Sequence, residues 1–112
     1  MNKTNRVCIE FVSFRLKKDV EVEAFLAASR RFDSEFLKNE PGFIERRLLR
    51  MDVDADGSIW ADLALWENVA AAKRVEAKFM HDPVSAAYGS CIDANSVRME
   101  HFSELSVFAH NT

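Results

Sequence analysis

The hydrophobic period of this chain runs from two to about 3.6, returns to two for two consecutive segments, then repeats 3.6 and two, and few topologies accommodate that order. Residues 7–16 are rich in β-branched and aromatic side chains and form the first expected strand. Asp19 is placed to cap a helix whose first turn carries Glu21 and Glu23, where negative charge suits the helix dipole. Val22, Phe25, Leu26, Ser29, Phe32, Phe36 and Leu37 follow as its buried stripe, and Pro41-Gly42 ends it. An extended pattern resumes over residues 43–53, and Asp54-Ala55-Asp56-Gly57 supplies hairpin turn chemistry into the strand Ile59–Trp66. Asn68 caps a second helix with Val69, Ala72, Val75 and Phe79 on one side. Asp82-Pro83 restarts a short helix carrying Val84, Ala87, Tyr88, Cys91 and Ile92, and a last strand is expected over residues 97–108. The order β-α-β-β-α-β predicts an α+β, ferredoxin-like fold, a four-stranded antiparallel sheet with helices on one face.

A chain of 112 residues, 48% hydrophobic with nine phenylalanines, fills one core, so residues 1–112 are read as a single domain. Two helices bury only one side of such a sheet. Both sides of the first strand are nevertheless apolar, with Ile9 and Phe11 on one and Val12 and Phe14 on the other. A second copy of the chain is the simplest cover for the free face, which predicts a homodimer whose sheets close into a barrel. The formal net charge of −3, with acids and bases mixed along the length, gives no basic face for nucleic acid or an anionic membrane. Cys8 and Cys91 form no CxxC pair and fit reduced thiols. The first six residues are polar, with no apolar signal core, which leads to an expected cytoplasmic location.

Within Ile59–Trp66, residues 59, 61, 63 and 65 point one way while Trp60, Asp62 and Trp66 point the other. Two indoles flanking a carboxylate suit the wall of a cavity or of a subunit interface, and core packing is the competing explanation. In the expected topology the first strand lies between the third and fourth, so Glu10 can face Asp62 on one side and His101 on the other. Carboxylates close together in a partly desolvated cavity raise one pKa, and an imidazole can share the proton, an arrangement suited to proton abstraction near neutral pH. The bland alternative is hydrogen bonding across a polar interior. The fourth strand has no clean parity, so a bulge is expected there and the facing of His101 is left open.

The stretches Val7-Cys8-Ile9-Glu10-Phe11-Val12-Ser13-Phe14-Arg15-Leu16, Glu40-Pro41-Gly42-Phe43 and Trp66-Glu67-Asn68-Val69-Ala70-Ala71-Ala72 resemble the antibiotic-biosynthesis monooxygenase-like proteins of the dimeric α+β barrel superfamily. That superfamily includes cofactor-free oxygenases, haem-degrading enzymes and isomerases. Haem-degrading relatives use a tryptophan at the end of the third strand, which Trp66 matches, and a histidine in the next helix, which residues 70–78 lack. Cofactor-free quinone-forming relatives surround an aromatic substrate with asparagine, tryptophan and tyrosine. Trp66 matches the tryptophan, Tyr88 is the only tyrosine, and Asp62 stands where an amide is more familiar.

Two local patterns are set aside. Asp52-Val53-Asp54-Ala55-Asp56-Gly57 copies the first half of a calcium loop, but the closing glutamate position falls on Leu63, so no metal is expected. Arg46, Arg47 and Arg50 are read as pairing with acids at a sheet edge or subunit contact in preference to an anion site. The expected function is a cofactor-independent monooxygenase, binding a small hydrophobic or aromatic ligand among Phe14, Trp60, Trp66 and Tyr88, with Glu10, Asp62 and His101 as acid–base residues. A non-catalytic ligand-binding or structural homodimer of the same fold is the alternative.

Overall fold

A computed structural model describes residues 6–51 and 59–110. Its strands are β1 (Cys8–Arg15), β2 (Phe43–Arg50), β3 (Ile59–Trp66) and β4 (Arg98–Ser103), and its α-helices are α1 (Val22–Arg31), α2 (Val69–Phe79) and α3 (Pro83–Gly89). The sheet order is β2-β3-β1-β4 with every neighbouring pair antiparallel, which is the expected ferredoxin-like arrangement. Alternation sorts the two faces. Cys8, Phe14, Trp60, Ala64 and Trp66 are buried under the helices, together with Phe25 of α1, Ala72 and Val75 of α2 and Tyr88 of α3. Ile9, Phe11, Leu63 and Leu65 point to the opposite face and stay partly exposed, with Leu49 and Phe102 exposed beside them. Among the described residues, no helix is long and apolar enough to cross a membrane.

Two local signals act as the sequence implies. The Asn68 side chain accepts from the Ala71 N–H at 2.9 Å, and Asp82 accepts from Val84 and Ser85 at 2.9 and 3.0 Å ahead of Pro83. The start of α1 differs from expectation. A Val20 N–H to Lys17 carbonyl bond of 3.1 Å closes a turn around Asp19, so the N-cap falls on Glu21, which makes no side-chain cap. The single helix expected to reach Leu37 is also divided. After Arg31 comes a π-helical turn, Phe32–Phe36, then a 3₁₀ turn, Leu37–Asn39. The wider turn keeps both phenylalanines inward, their rings stacked at 5.6 Å.

The last strand is shorter than residues 97–108. Ser103 pairs with Cys8, where β1 begins, and Glu104 makes one further bond to the Val7 carbonyl at 2.9 Å. Beyond it β1 offers no partner, and Leu105, Val107 and Phe108 lie exposed outside regular structure. The parity conflict in this segment arises from that end and not from a bulge, since β4 pairs in regular register. The irregularity is in β2. Phe43 opposes Trp66 and Glu45 opposes Leu65, so Ile44 is an extra residue. The expected turn at Asp54-Ala55-Asp56-Gly57 lies outside the described residues, as does the whole aspartate run from Asp52; the Met51 N–H to Ile59 carbonyl bond of 2.9 Å brings the hairpin's ends together.

Gly42 holds the entry to β2 with φ of 85°, and a Cβ built there would stand 2.6 Å from the Ala71 Cβ. Both the left-handed backbone and the close approach of α2 therefore require glycine. Gly42→Ala is expected to cost about 2 kcal/mol or more in urea unfolding, well beyond a typical surface substitution.

Candidate functional site

The bulge in β2 decides which way Arg46 points. In unbroken register Arg46 would oppose Leu63 on the outer face; with Ile44 inserted it opposes Ala64 and turns beneath the helices beside Asp62. Its side chain is only 4% exposed, and the guanidinium lies over the rings of Phe32 and Tyr88 at 5.1 and 5.0 Å. One terminal nitrogen donates to Asp33 at 2.7 Å and Ser29 at 2.9 Å. The other donates to Asp62 and, at 2.8 Å, to the Tyr88 hydroxyl, which in turn donates to Asp62 at 2.6 Å. Burial works against the Arg46 charge, but Asp62, Tyr88 and Asp33 outweigh it and hold the guanidinium protonated. Burial and the Asp62 charge push the Tyr88 hydroxyl upward, keeping it a neutral donor.

This network corrects the expected partnership of Asp62. Asp62 opposes Val12 on β1, whereas Glu10 opposes Ala64 and His101, so the two carboxylates sit at different levels of the sheet. Glu10 instead joins a second cluster. The His101 Nε2 is 3.2 Å from Glu10 Oε2 and 2.6 Å from Glu76 Oε2 on α2. Burial, reinforced by the hydrogen bond and negative charge of Glu76, raises the Glu10 carboxyl to about 7 against the opposing pull of His101. Among the described residues, the ligating atoms of Glu10, Glu76 and His101 lie within 4.8 Å of one another, a geometry compatible with a cation as well as with a shared proton.

Both clusters border one cavity of about 390 Å³ between the sheet and the helices, with Glu10, Arg46, Asp62, Glu76 and Tyr88 as its ionisable edges. Its apolar lining includes Val12, Phe32, Trp66, Phe79 and Ile92. His101 reaches it only through Glu10 and Glu76. Phe14 and Trp60, expected as cavity residues, are absent from the lining because Phe25 intervenes: its ring meets Phe14 at 5.9 Å and Trp60 at 5.1 Å on one side and Tyr88 at 5.4 Å on the other. Trp66 both lines the cavity and is almost fully buried, and its indole N–H has no hydrogen-bond partner among the described residues; the same holds for Arg46 Nε. A buried donor left unpaired is costly, so both mark places where a ligand acceptor would gain most.

The edge-strand expectation holds for Arg47, which pairs with exposed Glu45 at 2.7 Å, while Arg50 lies over the Trp60 ring at 4.9 Å and Arg46 turns inward. Glu76 escaped sequence reasoning. It lies four residues after Ala72 and next to Val75, at the margin of the α2 stripe, where a charge faces partly buried surroundings.

Removing the Arg46 charge leaves Asp62 buried without its counter-ion. Arg46→Met is expected to cost about 3–5 kcal/mol in chemical unfolding, and Arg46→Met with Asp62→Asn is expected to recover most of that loss, since an amide still accepts from Tyr88.

No family model matches the chain, and neither does any curated protein. Solved structures do. SnoaB, a cofactor-independent oxygenase from Streptomyces nogalater, superposes with a TM-score of 0.73 at 17% identity, over 94% of this chain and 99% of that one. A candidate antibiotic biosynthesis monooxygenase from Caulobacter crescentus gives 0.72 at 16% identity, covering 92% and 93%. A like-named candidate from Bordetella bronchiseptica gives 0.70 at 17%, covering 90% and 99%. The chain thus has the fold of the antibiotic-biosynthesis monooxygenase-like structures.

Proposed function

We propose that the protein is a homodimeric, cofactor-independent monooxygenase acting on a small phenolic aromatic molecule held in the 390 Å³ cavity. One observation carries this reading: an apolar cavity lined by Trp66 has at its edge a carboxyl group, Glu10, that burial and the neighbouring Glu76 push up to about 7. Glu10 is the base. It takes the proton of the substrate hydroxyl, and the O–H electron pair stays on oxygen to give an electron-rich phenolate. The phenolate reduces dioxygen and forms a carbon–oxygen bond at a ring C–H. Loss of that hydrogen with cleavage of the O–O bond leaves a quinone carbonyl and one water, so the substrate supplies all the electrons. Trp66 Nε1 holds a substrate oxygen, and Phe32, Phe79 and Tyr88 enclose the ring. Asp62, already engaged by Arg46 and Tyr88, is assigned a positioning role in place of the expected proton transfer.

Oxygen uptake with a panel of hydroxynaphthalenes and anthrone-like phenols tests the reading. One quinone formed per oxygen consumed is expected, with turnover rising as the pH rises through about 7, because only the ionised form of Glu10 accepts a proton. Glu10→Gln is expected to lower turnover by ~100-fold and to flatten that profile. Quenching of tryptophan fluorescence by the same compounds without oxygen uptake would instead identify a binding protein.

The dimer rests on the outer sheet face, where Ile9, Phe11, Leu63 and Leu65 are only half covered. Pairing two such faces should bury well over ~1,000 Å² in total. Light scattering at micromolar concentration is expected to give twice the chain mass, and a stable monomer would refute the assembly.

A further inference from the structure

Glu76 has no assigned role in the reaction above, yet it shares a single atom with the proposed base. His101 Nε2 lies 3.2 Å from Glu10 Oε2 and 2.6 Å from Glu76 Oε2. One imidazole nitrogen carries at most one proton, so it serves one carboxylate at a time. A proton received from Glu10 is already within reach of Glu76, and no ring rotation is needed to pass it on. Side-chain exposure rises along the same line, from 13% at Glu10 through 20% at His101 to 28% at Glu76, and Lys73, 3.7 Å from Glu76, is 60% exposed. Three separate elements, β1, β4 and α2, supply the members.

We propose that Glu76 is a further member of the site, the outer station of a proton path that leads from the cavity through Glu10 and His101 Nε2 to solvent. Its use in catalysis rests on the oxygenase reading. The substrate O–H bond breaks and its proton bonds to the Glu10 carboxylate. Nε2 then accepts that proton, restoring the Glu10 anion, and the Glu76 carboxylate takes it from Nε2 and exchanges it with water. The reverse route returns a proton to the oxygen atom that leaves as water, so the path turns over without net proton release.

The groups acting on Glu10 are Glu76 of α2 and His101 of β4, Glu10 in turn pushes up the Cys8 thiol of its own strand, and Lys73 pairs with Glu76. Asp62 and Arg46 border the same cavity but engage each other.

Glu76→Gln tests the path, and partial exposure on a helix makes the substitution compatible with folding. Without substrate, carbon-13 NMR of the Glu10 carboxyl is expected to show its midpoint falling from near 7 by about one pH unit once the neighbouring negative charge is gone. An unmoved midpoint overturns the proposal, whether or not any substrate is oxidised. With an active substrate, kcat in dilute buffer is expected to fall ~10-fold at unchanged KM and to recover when imidazole buffer is added, while Glu76→Asp retains most of the activity. His101→Gln should show the same loss and rescue. Unchanged kcat in both variants also overturns the path. A wild type that oxidises none of the panel, together with a shifted Glu10 midpoint, removes the oxygenase reading and leaves the proton-sharing unit standing.

Discussion

A guanidinium with almost no solvent contact inside a small α+β domain must be matched by charge and by hydrogen bonds, and Arg46 is matched from four directions. Asp62 comes from β3, Tyr88 from α3, and Ser29 and Asp33 from α1 and the π-helical turn. Isolated burial of either charge would cost several kcal/mol. Each of these elements must therefore take its place for the others to be tolerated. Phe32 and Tyr88 stack 4.8 Å apart and nearly parallel, and the guanidinium lies 5.1 and 5.0 Å from their two ring centres. The same tie roofs one end of the cavity.

The two charged clusters differ in the way chemistry requires. Around Arg46 one guanidinium serves two carboxylates, and burial pushes the Asp62 carboxyl up while Arg46 and Tyr88 pull against it. Around Glu10 two carboxylates compete for one imidazole nitrogen, leaving a group near neutrality at the edge of apolar space. The two clusters are kept apart along the sheet because Asp62 and Glu10 oppose different rungs of their neighbours.

Elements governed by local rules were legible in the sequence. Alternation gave β3 and its inward indoles, and the Asn68 and Asp82 caps lie where side-chain chemistry demands. Features governed by remote partners were not. The length of β4 depends on where β1 begins; the π-helical turn depends on Tyr88, more than fifty residues later; and the β2 bulge is hidden because Phe43 and Ile44 are both apolar. For the site, the adjacency of Glu10 and His101 was expected from strand order although the facing of His101 was left open, while the assignment of Asp62 to Glu10 failed because register fixes which rung each carboxylate occupies. Trp66 was visible as a large residue on the inward parity. Its unpaired N–H was not, since that depends on every atom around it.

The extra residue in β2 also limits how this chain can change over evolutionary time. Phe43 and Arg46 both face inward, three positions apart, which is an odd spacing that an uninterrupted strand cannot satisfy. Losing the bulge while keeping both residues between them would put Arg46 opposite Leu63 and swing the guanidinium to the outside, stranding Asp62, whereas deleting one of the two would leave an even spacing that keeps both side chains inward. The register of this short segment is thus as much a part of the site as the identity of its residues. A strand one residue shorter would reach the same pairing of the arginine with Ala64 without any bulge, so the irregularity is the means by which a segment of this length keeps its cation inside.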